Sequence, residues 1–168
     1  MERNKWFYWA WRNSLKLERQ EIRSLLTLLG PGNFVPDNSA HKGAYIYWTR
    51  ESVGNRGRVV AFEPRPRLAA RLSRLVGNAD DDNMVVENIG LSSNIGTLML
   101  NIPAGKDSPG ASLEPAVEIS ASGQSFPVEV STLDKYLGIR SASTVCVSSN
   151  VTRRAMNSRF SGERSRCW

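Results

Sequence analysis

The residues best suited to chemistry lie in two short stretches of the chain. A polar loop, residues 37–43, begins with Asp37 and ends with Gly43, and Glu63 closes the apolar run of residues 59–62. In a parallel α/β sheet, a turn after the first strand and an acid after the second can together hold a nucleoside, because the acid accepts hydrogen bonds from ribose hydroxyls. Asp37 and Glu63 lie 26 positions apart, which leaves room for a strand, a helix and a strand. A glycine before a helix is also common in ordinary turns, so a purely structural role stays open.

The elements that would position these residues alternate between strand and helix. Apolar spacing predicts helices at 14–29, 43–52 and 66–76, and strands at 33–37, 58–62, 83–86, 97–102 and 126–130. A loop rich in Gly, Pro and Ser separates the last two strands at 103–110, and Thr132 is placed to cap a short helix at 132–137. The order predicts an α/β fold with a doubly wound, mostly parallel sheet that binds ligands at the carboxyl ends of its strands.

Composition and charge exclude several classes of protein. The chain is 40% hydrophobic and 23% charged, as is usual for a globular domain, and it has no apolar run of the about 20 residues that a membrane helix needs. Its start lacks a signal-peptide core, so we expect a cytoplasmic protein with no membrane partner. Two cysteines and one histidine form neither a disulfide framework nor a zinc spacing, so no metal site is expected. No sequence feature indicates an oligomeric state.

The net charge of +6 is concentrated at the end of the chain. Residues 141–168 carry five arginines against the single acid Glu163, which leaves the rest nearly neutral. That remainder lacks the basic stripe with interleaved aromatic residues that nucleic-acid sites need. We therefore expect no nucleic-acid partner, and a basic nucleic-acid-binding module remains a distant alternative.

Three blocks of characteristic sequence follow one another along the chain. They comprise residues 59–66 around Glu63, residues 87–93 with Gly96, and residues 130–134. In content and order they resemble the FkbM type of S-adenosylmethionine-dependent methyltransferases, and the resemblance runs from about residue 21 to residue 137. It implies a Rossmann-like methyltransferase domain, S-adenosylmethionine as cofactor, and methyl transfer to a small-molecule or glycan-type hydroxyl.

The resemblance also assigns cofactor contacts to individual residues. Glu63 would bind the ribose diol, and Asn88 would border the adenine. The loop after the first strand would cradle the methionine moiety through Asp37, Ser39, Ala40, His41 and Gly43. No catalytic base is assigned, and a loop-capping or solvent-facing role for His41 is favoured over catalysis.

Two residues near the loop depart from the family pattern. Ser39 stands where the family has a glycine, and its Cβ should crowd the methionine end of the cofactor. Pro36, inside the first strand, removes a hydrogen-bond donor from the ladder. The crowding by Ser39 should weaken cofactor binding.

The end of the chain lacks the K-x-D-x-E-G-x-E block with which the family continues. If the codons behind residues 147–167 are read starting one base earlier, they can encode that block. Methionine has only one codon, so the codon of Met156 forces the second glutamate of the block in the shifted reading. We therefore interpret the end as an out-of-frame reading. The expected organisation is a helical segment at 1–30, a partial methyltransferase domain at 31–140 that is incomplete at its C-terminus, and an unstructured tail at 141–168. The alternative to an active methyltransferase is an inactive, truncated remnant with little or no cofactor binding.

Overall fold

A computed structural model describes residues 7–8, 10–12, 19–38, 40–77, 83–102, 112–114, 123–137 and 147–148. The helices are α1 (Arg19–Leu28), α2 (Ala44–Val53), α3 (Pro66–Gly77) and α4 (Leu133–Leu137). The strands are β1 (Phe34–Asn38), β2 (Arg58–Phe62), β3 (Met84–Glu87), β4 (Gly90–Leu91), β5 (Gly96–Ile102), β6 (Ser112–Glu114), β7 (Gln124–Ser131) and β8 (Val147–Ser148). Residues 7–8 and 10–12 are also helical. None of the helices described here has the length and apolar character needed to cross a membrane.

A parallel sheet with the strand order β3-β2-β1-β8 forms the first half of the fold. Strand β1 pairs with β2 so that Asp37 lies opposite Ala61, and β2 pairs with β3 so that Phe62 lies opposite Glu87. Helices α2 and α3 connect these parallel strands. The predicted α/β class is confirmed, and β1 is the strand from which the sheet extends in both directions, where such folds open a ligand crevice.

The core of this half follows from the periodicity of its helices. Helix α3 buries five residues on one face, namely Leu68, Ala69, Leu72, Leu75 and Val76. Ile22 and Leu25 of helix α1 share one apolar cluster with the last three of these residues. Strand β2 is buried over its last four residues. Spacings of three and four residues place these side chains on one helical face, which must pack against the sheet to leave water.

A second sheet, with the order β4-β7-β5-β6, was not predicted as a separate unit. Strand β5 runs antiparallel to both β6 and β7, whereas β4 runs parallel to β7. Leu100, Val128 and Val130 form its own small core. A Cβ added at Gly90 would lie 3.0 Å from Leu113 and 3.1 Å from Val130, so close packing at the start of β4 favours glycine.

Strand β8 corrects the prediction for the end of the chain. Val147 and Ser148 pair in parallel with Asp37 and Asn38 of β1, so the expectation that no strand forms beyond residue 141 is wrong for these two residues. The physical reason is that β1 would otherwise present unpaired backbone groups on this side, which an extended segment can satisfy. A fourth strand beside the first is also the usual order of doubly wound sheets. The other residues of the predicted tail lie outside the part of the chain that is described.

Replacing Gly57 by alanine should destabilise the turn before β2. A Cβ at this position would lie 2.5 Å from Val53 Cβ and 2.7 Å from the carbonyl oxygen of Asn33, and neither atom can move without shifting backbone. We expect a loss of about 1–3 kcal/mol in the free energy of unfolding, measured in urea. The matched control is Gly77→Ala at the end of α3, where an added Cβ meets nothing within 4 Å. An equal effect of the two substitutions would contradict the packing described for Gly57.

Candidate functional site

The loop after β1 meets Glu63 at the carboxyl ends of β1 and β2. Glu63 follows directly on β2, and its Oε2 accepts a hydrogen bond of 2.7 Å from the backbone N–H of His41. Ala40 N–H donates to the carbonyl of Phe62 at 3.2 Å, which extends the contact between loop and strand. The sequence predicted that Glu63 would face this loop, and its placement is confirmed. Its role as a ribose acceptor stays a prediction.

Two residues give the loop its turn. Gly43 has a φ of 80° and its N–H donates to the carbonyl of Ala40 at 2.8 Å, after which α2 begins at Ala44. His41 has a φ of 48°, also in the left-handed region that side chains seldom occupy. This conformation directs the His41 N–H at Glu63, so the backbone of His41 links the loop to the end of β2.

Asp37 is a buried acid with an unsatisfied oxygen. Only 2% of the residue is exposed, and its Oδ2 has no hydrogen-bond partner among the residues that the structure describes. Burial, with a further contribution from the negative charge of Glu63, raises the pKa of Asp37 to about 7. An uncompensated carboxylate of this kind is suited to a cationic group.

Glu63 is equally buried but fully hydrogen-bonded. It is 1% exposed, and besides His41 it has Arg65 as a partner. Arg65 donates from Nε to Oε1 at 2.8 Å and from Nη2 to Oε2 at 3.2 Å, and its backbone N–H donates to Oε1 at 3.1 Å. The two acids of the crevice therefore differ. Both carboxylate oxygens of Glu63 accept hydrogen bonds, whereas Oδ2 of Asp37 has no partner among the described residues.

Asn88 holds the backbone at the end of β2. Its Nδ2 donates to the carbonyl oxygens of Glu63 at 2.9 Å and Pro64 at 3.1 Å, while the residue itself is exposed. These contacts fix the path of the chain beyond Glu63. The predicted border with adenine is not tested by them.

A family model for the FkbM methyltransferase domain matches residues 37–145, well over half of the chain. The chain belongs to the FkbM methyltransferase family. The family predicted from the three sequence blocks is thereby confirmed, and with it S-adenosylmethionine as the family's cofactor. No curated protein sequence matches the chain significantly.

Solved structures similar to this FkbM domain include two S-adenosylmethionine-dependent methyltransferases and one protein solved with S-adenosylmethionine bound. A methyltransferase from Aquifex aeolicus is 21% identical, with 56% of this chain and 49% of that chain covered and a TM-score of 0.41. An O-methyltransferase from Thermotoga maritima is 13% identical, with coverage of 67% and 65% and a TM-score of 0.37. Aeropyrum pernix fibrillarin, solved with S-adenosylmethionine bound, is 19% identical, with coverage of 36% and 26% and a TM-score of 0.31. This chain spans less than two thirds of the length of each.

The described residues of the FkbM domain fit the cofactor, with one obstacle. The unpartnered Oδ2 of Asp37 suits a positively charged ligand, and the left-handed turn at Gly43 keeps the loop free of a side chain there. Glu63 lies at the end of β2, where the family resemblance expects the ribose acceptor, but Arg65 already donates to both of its oxygens. Ser39 lies outside the described residues. Within the described ranges, no cluster of side chains could hold a metal ion.

Two side chains at the carboxyl ends of β2 and β3 were not predicted from the sequence as part of the site. One is Arg65, which its position two residues after Glu63 in the first family block could have suggested. The other is Tyr136, whose hydroxyl donates to Glu87 Oε1 at 2.5 Å. Its ring packs edge-on against the ring of Phe62, with the two ring centroids 4.9 Å apart. Burial, followed by the hydrogen bond and the charge of Glu87, raises the pKa of Tyr136 to about 12. Tyr136 therefore stays a neutral donor and fastens α4 to the ends of β2 and β3.

Proposed function

We propose that this domain binds S-adenosylmethionine between the loop after β1 and Glu63, and that it serves methyl transfer to a hydroxyl of a small molecule or glycan. The supporting observation is the 2.7 Å contact between His41 N–H and Glu63, which brings loop and acid to one crevice. Membership in the FkbM family supports the reaction type. The choice of a hydroxyl as the methyl acceptor rests on the family resemblance.

The residues of the crevice would divide the work of holding the cofactor. Asp37, which is about half ionised at pH 7, would face the positively charged methionine end, and Glu63 would accept the ribose hydroxyls. Asn88 would keep Glu63 in place through the backbone of residues 63–64. When bound, S-adenosylmethionine supplies an electrophilic methyl group on its sulfonium. Alignment with an acceptor oxygen is then the main source of rate, with or without a general base.

A second candidate is a domain that no longer catalyses. Residues 138–168 do not contain the K-x-D-x-E-G-x-E block, which in the family helps to shape the pocket for cofactor and acceptor. Strand β8 occupies the place beside β1, yet its two residues do not supply the acids of that block. If this second candidate holds, the chain binds the cofactor weakly and transfers no methyl group. We also propose that the chain divides into segments at residues 30 and 140. A cytoplasmic location and no nucleic-acid partner are proposed as well.

Isothermal titration of the 168-residue protein with S-adenosylmethionine tests this account. We expect a dissociation constant well above the micromolar range, and no methyl transfer to added hydroxyl acceptors. Restoring the reading frame before codon 147 should tighten binding, and Ser39→Gly should tighten it further by removing a Cβ from the loop. Micromolar affinity in the unaltered chain, together with a cooperative thermal transition, would show that it is not a weakened remnant. Failure of the restored protein to bind would contradict the cofactor site itself.

A further inference from the structure

The carboxylate of Glu63 has no acceptor position left for a ligand. It receives four hydrogen bonds, one from the backbone of His41 and three from Arg65. A carboxylate has about four lone-pair positions in all. Any ribose hydroxyl that binds Glu63 must therefore displace a donor that is already present.

The side chain of Arg65 is the donor that can leave. Two of the four hydrogen bonds come from backbone N–H groups, at His41 and Arg65, which the loop and the strand end hold in place. The other two come from the guanidinium, at the end of a long flexible side chain. The side chain of Arg65 is 11% exposed and that of Glu63 1%, so Arg65 keeps some contact with solvent whereas Glu63 has almost none.

We infer that Arg65 competes with the ribose for the carboxylate of Glu63, so that a nucleoside cofactor binds fully only after Arg65 releases it. This inference rests on the proposed cofactor site and adds an internal competitor to it. The exchange replaces two hydrogen bonds from a charged guanidinium with two from neutral hydroxyls, so the carboxylate of Glu63 loses its ion pair. Arg65 therefore lowers affinity for the cofactor in the chain as it stands, independently of Ser39 and of the missing block.

The test compares the affinity of S-adenosylhomocysteine for the 168-residue protein and for three variants, by isothermal titration at millimolar ligand. Arg65→Ala should bind about tenfold more tightly or better, since no donor has to be displaced. Arg65→Lys should fall between the two, because lysine keeps the charge but cannot make the paired contact. Arg67→Ala, the matched control, removes an exposed arginine two residues away and should bind like the unaltered protein.

A second readout does not depend on affinity. The ¹⁵N signal of the Arg65 side-chain Nε should shift when ligand is added to the unaltered protein, while that of Arg67 should not. If the unaltered protein and Arg67→Ala bind but Arg65→Ala binds no better, the competition is refuted while the cofactor site stands. If no protein binds at all, both are refuted. Should Arg65→Ala fail to fold, equal affinity of Arg65→Lys and the unaltered protein would overturn the inference.

Discussion

We expect Glu63→Gln to lower the free energy of unfolding by about 3–5 kcal/mol, because it breaks a buried ion pair from one side. Arg65 would keep its charge without a counter-charge, and the amide nitrogen of the new side chain would face N–H donors of His41 or Arg65. A loss of this size is a large part of the about 5–15 kcal/mol that stabilises a typical domain. Urea unfolding followed by circular dichroism measures it.

The matched control for Glu63→Gln is Glu51→Gln. Glu51 also pairs with an arginine, Arg50, but its side chain is 47% exposed. Exposed ion pairs contribute only about 0–1 kcal/mol, so this variant should unfold almost like the unaltered protein. A loss below about 1 kcal/mol in Glu63→Gln would show that the buried pair is not what holds the crevice together.

Asp37 should make the protein less stable as the pH rises towards neutrality. Its pKa is about 7 in the folded protein against an ordinary value of 3.8, so between these pH values the folded state holds a proton that the unfolded state has lost. Stability contributed by this group is complete below about pH 4 and is lost as the pH rises through about 7. At about 1.4 kcal/mol per pH unit, the total is on the order of 4 kcal/mol.

Asp37→Asn isolates this effect from all other titrating groups. Asparagine stays neutral, so the variant should be more stable than the unaltered protein at pH 8, and the difference should shrink towards pH 5. Unfolding free energies at one-unit pH intervals measure it. A cationic ligand favours the ionised form of Asp37. Its affinity for the unaltered protein should therefore increase as the pH rises to 7. A pH-independent difference between the two proteins would contradict the burial described for Asp37.

The regular half of the fold was predictable because its elements carry strong periodicity of their own. Strand β2 has the predicted bounds, and α3 extends one residue beyond them. The predicted cap is also present, since Lys135 N–H donates to Thr132 Oγ1 at 3.1 Å. In these segments the apolar pattern alone determines which face must be buried.

The short strands were not predictable from the sequence. Strands β4, β6 and β8 have only two or three residues, too few for an alternating pattern, and they are extended because a partner strand is already there. The grouping of β4 to β7 into a second sheet depends on pairings between distant segments. Tertiary context decides such elements, and local sequence does not.

The site was predictable in its layout and not in its contacts. Parallel-sheet geometry was sufficient to bring Glu63 to the loop after β1. The occupation of Glu63 by Arg65 depends on one side-chain conformation, and the bond from Tyr136 to Glu87 joins residues 49 positions apart. Neither leaves a periodic trace in the sequence.

The most direct test of the cofactor site is a crystal structure of the protein with S-adenosylmethionine at millimolar concentration. We expect ribose hydroxyls within hydrogen-bonding distance of Glu63, the methionine end beside Asp37, and the guanidinium of Arg65 moved away from Glu63. Cofactor bound elsewhere on the molecule, or bound in the crevice with its ribose away from Glu63, would contradict the account.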